Sequence, residues 1–254
     1  MTNKEDEARR IFGARAAYYA TSGAHADHQV LSRVVALAAP EPHWTALDIA
    51  TGAGHTAFAV SQRVRKVAAT DLTVEMLLQA EMLRASRGIA NVSFQVADVH
   101  ALPFRAGTFD LVTCRRAAHH FSMIEHALAE MGRVLVPGGR IVIDDRSVPE
   151  DDFVDATMNR LDSCHDPSHV RQYRPTEWRG LFESHGLEVE ALEPYVQHRP
   201  LTSLTDNASP EGVSGIRSIL AGLTAGQREA LDLREVNGEP HCNHWYIMVA
   251  GRRV

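Results

Sequence analysis

Between residues 46 and 143 short apolar runs alternate with stretches of helical length. The runs are Ala46–Ala50, Lys66–Thr70, Val92–Val96, Phe109–Cys114 and Arg140–Ile143. Between them lie a segment of about His55–Val64 and the amphipathic stretches Val74–Arg87 and Met123–Val136. Strands that alternate with helices predict βαβ units and a mostly parallel, doubly wound α/β sheet. Pro137-Gly138-Gly139 predicts a helix-to-strand turn, because glycine tolerates the positive φ of a helix C-terminus.

Outside this block the pattern changes. A helix is predicted over about Glu7–Tyr19, then a polar break at Thr21-Ser22-Gly23, then a second helix over about Asp27–Ala38, stopped before Pro40 and Pro42. After Asp145 the chain is polar, with one helix around Phe153–Leu161 and another opened by Pro175 and running to about His185. Glu188–Leu192 and His244–Val249 read as two more strands, and a helical stretch lies near Gly226–Glu235. With no internal repeat, these features predict a single domain over 1–254. Residues 1–40 are expected to form N-terminal helices, and about 148–175 and 195–240 an α-rich substrate lid.

Composition narrows the function classes. A chain of 254 residues can bury roughly three-quarters of its unfolded surface and needs no staples. The formal charge of −6 argues against bulk electrostatic binding of nucleic acid, which needs clustered positive charge. The start, Met-Thr-Asn-Lys-Glu-Asp-Glu, is too polar for a signal peptide, and no apolar stretch reaches the length of a membrane span. Cys114, Cys164 and Cys242 are odd in number and widely spaced, as free thiols in a reducing compartment are. The expectation is a cytoplasmic protein with a small-molecule substrate, no nucleic-acid or membrane partner, and a homodimer left open.

The candidate chemistry begins at Asp48-Ile49-Ala50-Thr51-Gly52-Ala53-Gly54, where the first strand turns into a helix. A glycine turn there lets backbone approach a ligand and points helix N–H groups at it. The same loop satisfies the degenerate dinucleotide pattern through Gly52, Gly54 and Ala57, so a nicotinamide oxidoreductase is the first rival. Asp71, 17 residues after Gly54, ends the second strand where a carboxylate can take both hydroxyls of a ribose. Asp98 follows the third strand, where an acidic side chain can accept from an exocyclic adenine amine.

Together Leu47–Gly54, Thr70-Asp71-Leu72, Ala97-Asp98-Val99, Leu102-Pro103-Phe104 with Phe109-Asp110-Leu111-Val112, and Arg133–Gly139 resemble the class I methyltransferases that use S-adenosylmethionine (SAM). The branch most similar is the ubiquinone and menaquinone C-methyltransferases, and the resemblance is strong over about residues 44–146. It implies a Rossmann-like, seven-stranded sheet with an antiparallel last strand. It further implies that Asp48 holds the glycine turn and the SAM amino group, with Gly52 and Gly54 beneath the methionine portion. Asp71 would bind the ribose, Leu72 and Met76 would flank the adenine, and Asp98 with the Val99 backbone would read its edge. Arg115 would face the sulfonium and the substrate, and Tyr19 would close over SAM. The family often has glycine where this chain has Ala50, a change that costs little if φ stays negative.

His119 and His120 follow the fourth strand, on the expected active-site face, and are the catalytic candidates. A histidine there can accept a proton from the acceptor; equally, the two can form a structural pair under the lid. Arg171, Arg174 and Arg199 can form an anion pocket or stand as surface charges. Cys164, His165, His169, His241, Cys242 and His244 have metal-ligating side chains without metal-ligand spacing, so solvated loops are expected and no metal. Direct methyl transfer needs no acid–base triad, and none is visible. A SAM-binding protein without transfer remains the alternative from another class.

Overall fold

The computed structural model describes residues 3–23 and 25–254. Its centre is β1 (Thr45–Ile49), buried at every position, with β2 (Lys66–Asp71) parallel on one side and β4 (Phe109–Arg115) parallel on the other. β3 (Val92–Val96) extends the sheet beyond β2, and β5 (Leu135–Ser147) extends it beyond β4. β8 (Glu239–Arg253) then pairs antiparallel with β5 and carries β6 (Leu187–Pro200) on its far side, so the order is β3-β2-β1-β4-β5-β8-β6. The short β7 (Arg234–Val236) pairs with β8 off this path. The chain runs outward from β1 in both directions, which opens a crevice at the carboxyl ends of β1 and β4.

Helices cover both faces because the strands are apolar on both. Along β1, Leu47 and Ile49 face a cluster with Leu128 and Met131 of α5 (Ile124–Val134) and Trp178 and Phe182 of α7 (Pro175–Ser184). Ala46 faces the other way, toward Val34 of α2 (His28–Ala38) and Phe58 of α3 (His55–Ser61). This is the period-two alternation of a strand. α1 (Asn3–Thr21) packs on α4 (Val74–Ser86). α6 (Asp152–His165), α8 (Thr202–Thr205) and α9 (Pro210–Ala221) share their own apolar cluster, centred on Met158, Leu161, Leu204 and Ile216. No helix among the described residues is long and apolar enough to cross a membrane.

Several predicted boundaries change. β6 and β8 run far beyond Glu188–Leu192 and His244–Val249, because antiparallel pairing from Leu187↔Arg253 to Pro200↔His241, interrupted by one register shift between Val189 and Ala191, supports their polar ends. The helix predicted near Gly226–Glu235 stops early, as α10 (Ala225–Ala230). The chain then forms β7 and turns into β8 at Asn237-Gly238, whose φ values of 53° and 81° suit a two-residue hairpin. α9, capped by Ser209 with Pro210 in its first turn, is a helix for which the sequence reading gave no bounds. Pro137-Gly138-Gly139 is not a helix cap: α5 ends at Val134, and the three residues lie inside β5, whose register with β4 shifts between Phe109 and Leu111.

Ala50 has φ +50°, so the condition under which alanine costs little is not met. A left-handed alanine costs about 1–2 kcal/mol, partly returned by its smaller unfolded-state entropy relative to glycine. Ala50→Gly is therefore expected to stabilise the protein by about 0.5–1 kcal/mol. Urea unfolding at constant m-value checks this; a destabilised variant would show that the turn gains more from the methyl than it loses.

Candidate active site

The turn after β1 is held from two sides. Asp71, at the end of β2, accepts from the Gly52 N–H at 2.8 Å and the Thr73 N–H at 2.9 Å. Asp48 accepts from the hydroxyls of Thr51 at 2.5 Å and Thr113 at 2.6 Å. Burial pushes the Asp48 carboxyl up to about 6 against those two hydroxyls, and it raises Asp71 against its backbone donors. Gly52 has φ +54°, and a Cβ built there would meet nothing within 4 Å, so backbone faces open space at this point.

Asp48, Ala50, Gly52, Asp71, Leu72, Met76, Asp98, Val99, Arg115 and Tyr19 all line one cavity at the carboxyl ends of β1, β2 and β4. Gly54 does not line it. A Cβ there would fall 2.6 Å from the Phe58 ring, so this glycine, with φ +88°, lets α3 fold back tightly on the turn. Asp98 is partly committed already: its Oδ1 accepts from the His100 N–H at 2.9 Å and lies 2.7 Å from His100 Nδ1. Arg115 donates to Thr56 Oγ1 at 2.9 Å and to the His25 carbonyl, while its buried Nη1 has no hydrogen-bond partner among the described residues. Burial lowers its pKa and the neighbouring Asp144 raises it, with burial the larger effect.

The two candidate histidines separate. His120 lines the first cavity and also a second one, of about 320 Å³, whereas His119 lines the second alone. His119 Nδ1 lies 2.6 Å from Oδ1 of Asp145, a fully buried carboxylate that also accepts from the His119 backbone N–H at 2.7 Å. Burial works to raise Asp145, but His119 and these donors outweigh it and hold the carboxyl below its ordinary value. With Asp145 ionised, Nδ1 is the donor in this contact. His120 bonds through Nδ1 to Ser168 Oγ at 3.0 Å, and burial beside His119 pushes it down to about 3. It is neutral at neutral pH and a poor base.

The second cavity is walled by α1, the ends of β6 and β8, and the segment 162–169. It shares Phe12, Tyr19, His25, Arg116 and His120 with the first. Phe12, His25 and Arg116 were not singled out from sequence. Arg116 carries a signal only a structure reveals, a positive φ of 55° at the end of β4. Arg171 and Arg174 do not join Arg199 in an anion pocket; both are paired with Asp155, and further with Glu177 and Asp152 respectively. No cluster of metal-ligating residues occurs among the described residues: His165 bonds the Leu204 carbonyl, His169 meets Asn159, and His244 lies between Arg146 and Ser203.

A family profile described as a methyltransferase domain matches residues 47–143. The Bacillus subtilis protein named Uncharacterized methyltransferase YcgJ is 36% identical over 184 residues, covering 72% of this chain and 73% of the other. The crystal structure of YcgJ superposes with a TM-score of 0.83 at 31% identity, covering 89% of this chain and 98% of that one. The Brucella canis protein named Ubiquinone/menaquinone biosynthesis C-methyltransferase UbiE is 30% identical over 201 residues, 76% of this chain and 71% of the other.

Proposed function

The chain belongs to the methyltransferases of this family, and from that premise we propose that it transfers the methyl group of SAM to a small-molecule acceptor. The observation that carries the reading is the wall shared by the two cavities, formed by Phe12, Tyr19, His25, Arg116 and His120. In-line displacement needs an acceptor on the far side of the methyl from the departing sulfur, and adjoining chambers provide that arrangement.

The residues of the first cavity fit SAM. The open space at Gly52 leaves room for a ligand against backbone. The buried, unpartnered Nη1 of Arg115 is a donor suited to the methionine carboxylate. That role suits Arg115 better than contact with the sulfonium, where two like charges would meet. Asp71 would accept from the ribose hydroxyls, Leu72 and Met76 would enclose the adenine, and Asp98 would accept from its amine.

When bound, SAM supplies a methyl group already activated on a sulfonium, so the protein has mainly to orient the acceptor and exclude water. His120 and Phe12 do both at the shared wall, with ring centroids 5.0 Å apart. Where the acceptor arrives protonated, His119 is the residue placed to take the proton, since it lines the second cavity with its ring oriented by Asp145.

Calorimetry should show binding of SAM and S-adenosylhomocysteine but not of NAD(P); the opposite preference would overturn the cofactor assignment. His120→Ala is expected to lower turnover by about tenfold or more while SAM affinity changes by about threefold at most. If affinity fell and turnover were preserved, His120 would be a structural residue.

A further inference from the structure

One guanidinium on the second cavity stands without a carboxylate against it among the described residues. Four arginines line it, and three are matched to a carboxylate: Arg15 with Asp166 at 3.5 Å, Arg116 with Asp144 at 3.1 Å, and Arg146 with Asp162 at 2.7 Å. Arg199, near the end of β6, has no such match among the described residues. Its Nη1 reaches only the hydroxyl of Tyr246, at 3.4 Å. Asp206, the remaining carboxylate on this cavity, is exposed at its rim.

Tyr246 reports how positive this corner is. It is 1% exposed, Arg116 stacks over its ring at 3.8 Å from the centroid, and Arg146 stands at 5.4 Å. Burial alone would raise the phenol, yet the three surrounding guanidinium groups outweigh it and bring Tyr246 down to about 8. The remaining walls include Phe12, Tyr18, Tyr19 and Leu204, surfaces for an organic body. A half-buried guanidinium facing such a chamber without a counter-ion is a site for an oxyanion, which its planar fork binds in two-point fashion.

We propose that the acceptor is an organic anion, held by its carboxylate or similar oxyanion on Arg199 beside Tyr246, with its body along the aromatic wall toward His120. The inference rests on reading the second cavity as the acceptor chamber. It separates the three arginines noted in the sequence: Arg171 and Arg174 stiffen the lid, and Arg199 recognises the substrate.

The test is calorimetric titration with benzoate, phenyl phosphate and the neutral isostere benzamide, each with and without saturating S-adenosylhomocysteine. Wild-type protein is expected to bind at least one of the two anions about tenfold or more tighter than benzamide. Arg199→Gln should abolish that preference, and Arg199→Lys should retain part of it, while both variants keep S-adenosylhomocysteine affinity within about twofold of wild type. Equal binding of anions and amide, no binding of any probe at millimolar concentration, or a preference that survives Arg199→Gln overturns the proposal. Failure of S-adenosylhomocysteine itself to bind would instead remove the cofactor reading, and the titrations without it would still report on Arg199.

Discussion

Replacing Asp71 by alanine is expected to weaken SAM binding by about 2–3 kcal/mol, a loss of roughly 30- to 150-fold. Two effects add. The variant lacks the acceptor proposed for the ribose hydroxyls, and hydrogen bonds to a charged group are worth about 1.5–3 kcal/mol each. It also leaves the N–H groups of Gly52 and Thr73 without their partner, so the turn that must lie against the ligand loses its anchor. Calorimetry with SAM on wild type and variant is the direct measurement. An affinity unchanged within about twofold would remove Asp71 from the site.

The second large effect is on stability. Asp144→Ala is expected to destabilise the protein by about 3–5 kcal/mol, the cost of removing one member of a buried ion pair. Asp144 is fully buried, and its Oδ2 accepts from Arg116 Nε at 3.1 Å while its Oδ1 accepts from the Tyr195 hydroxyl at 2.7 Å. Arg116 also donates to that hydroxyl at 3.0 Å. Without the carboxylate the guanidinium stays inside with no counter-charge, on a residue already held at a positive φ. Urea unfolding measures the loss, and a change below about 1 kcal/mol would show that water or a nearby group replaces the carboxylate at little cost.

These two carboxylates illustrate what the sequence could reveal. Asp71 was legible because it ends an apolar strand at a fixed distance from a glycine turn, and both signals are local. The core strands β1 to β5 were legible for the same reason, as runs bounded by turns. Asp144 directly follows such a run, and nothing local marked it, because its partners Arg116 and Tyr195 are 28 and 51 residues away. The second cavity was legible only in pieces: Tyr19, His119, His120 and Arg199 were named singly, but its walls come from positions as far apart as Phe12 and Tyr246, and no short spacing relates them. Ala50 failed differently. Its identity was noticed, but its φ is imposed by the turn around it, and composition carries no dihedral. Between β6 and β8, Ser209-Pro210 and Asn237-Gly238 were real local signals, a helix start and a hairpin, that the sequence reading did not use.

The position of β8 has a consequence for synthesis. It follows β6 in the chain but lies between β5 and β6, so β6 has no sheet neighbour until β8 has left the ribosome. A nascent chain can assemble β1 to β5, and with them the carboxyl-end crevice, while Arg199 waits on an unpaired strand for Tyr246 to be translated. The chamber read here as the acceptor's is thus completed last, and a growing polypeptide can acquire its nucleotide crevice before it has anything to methylate.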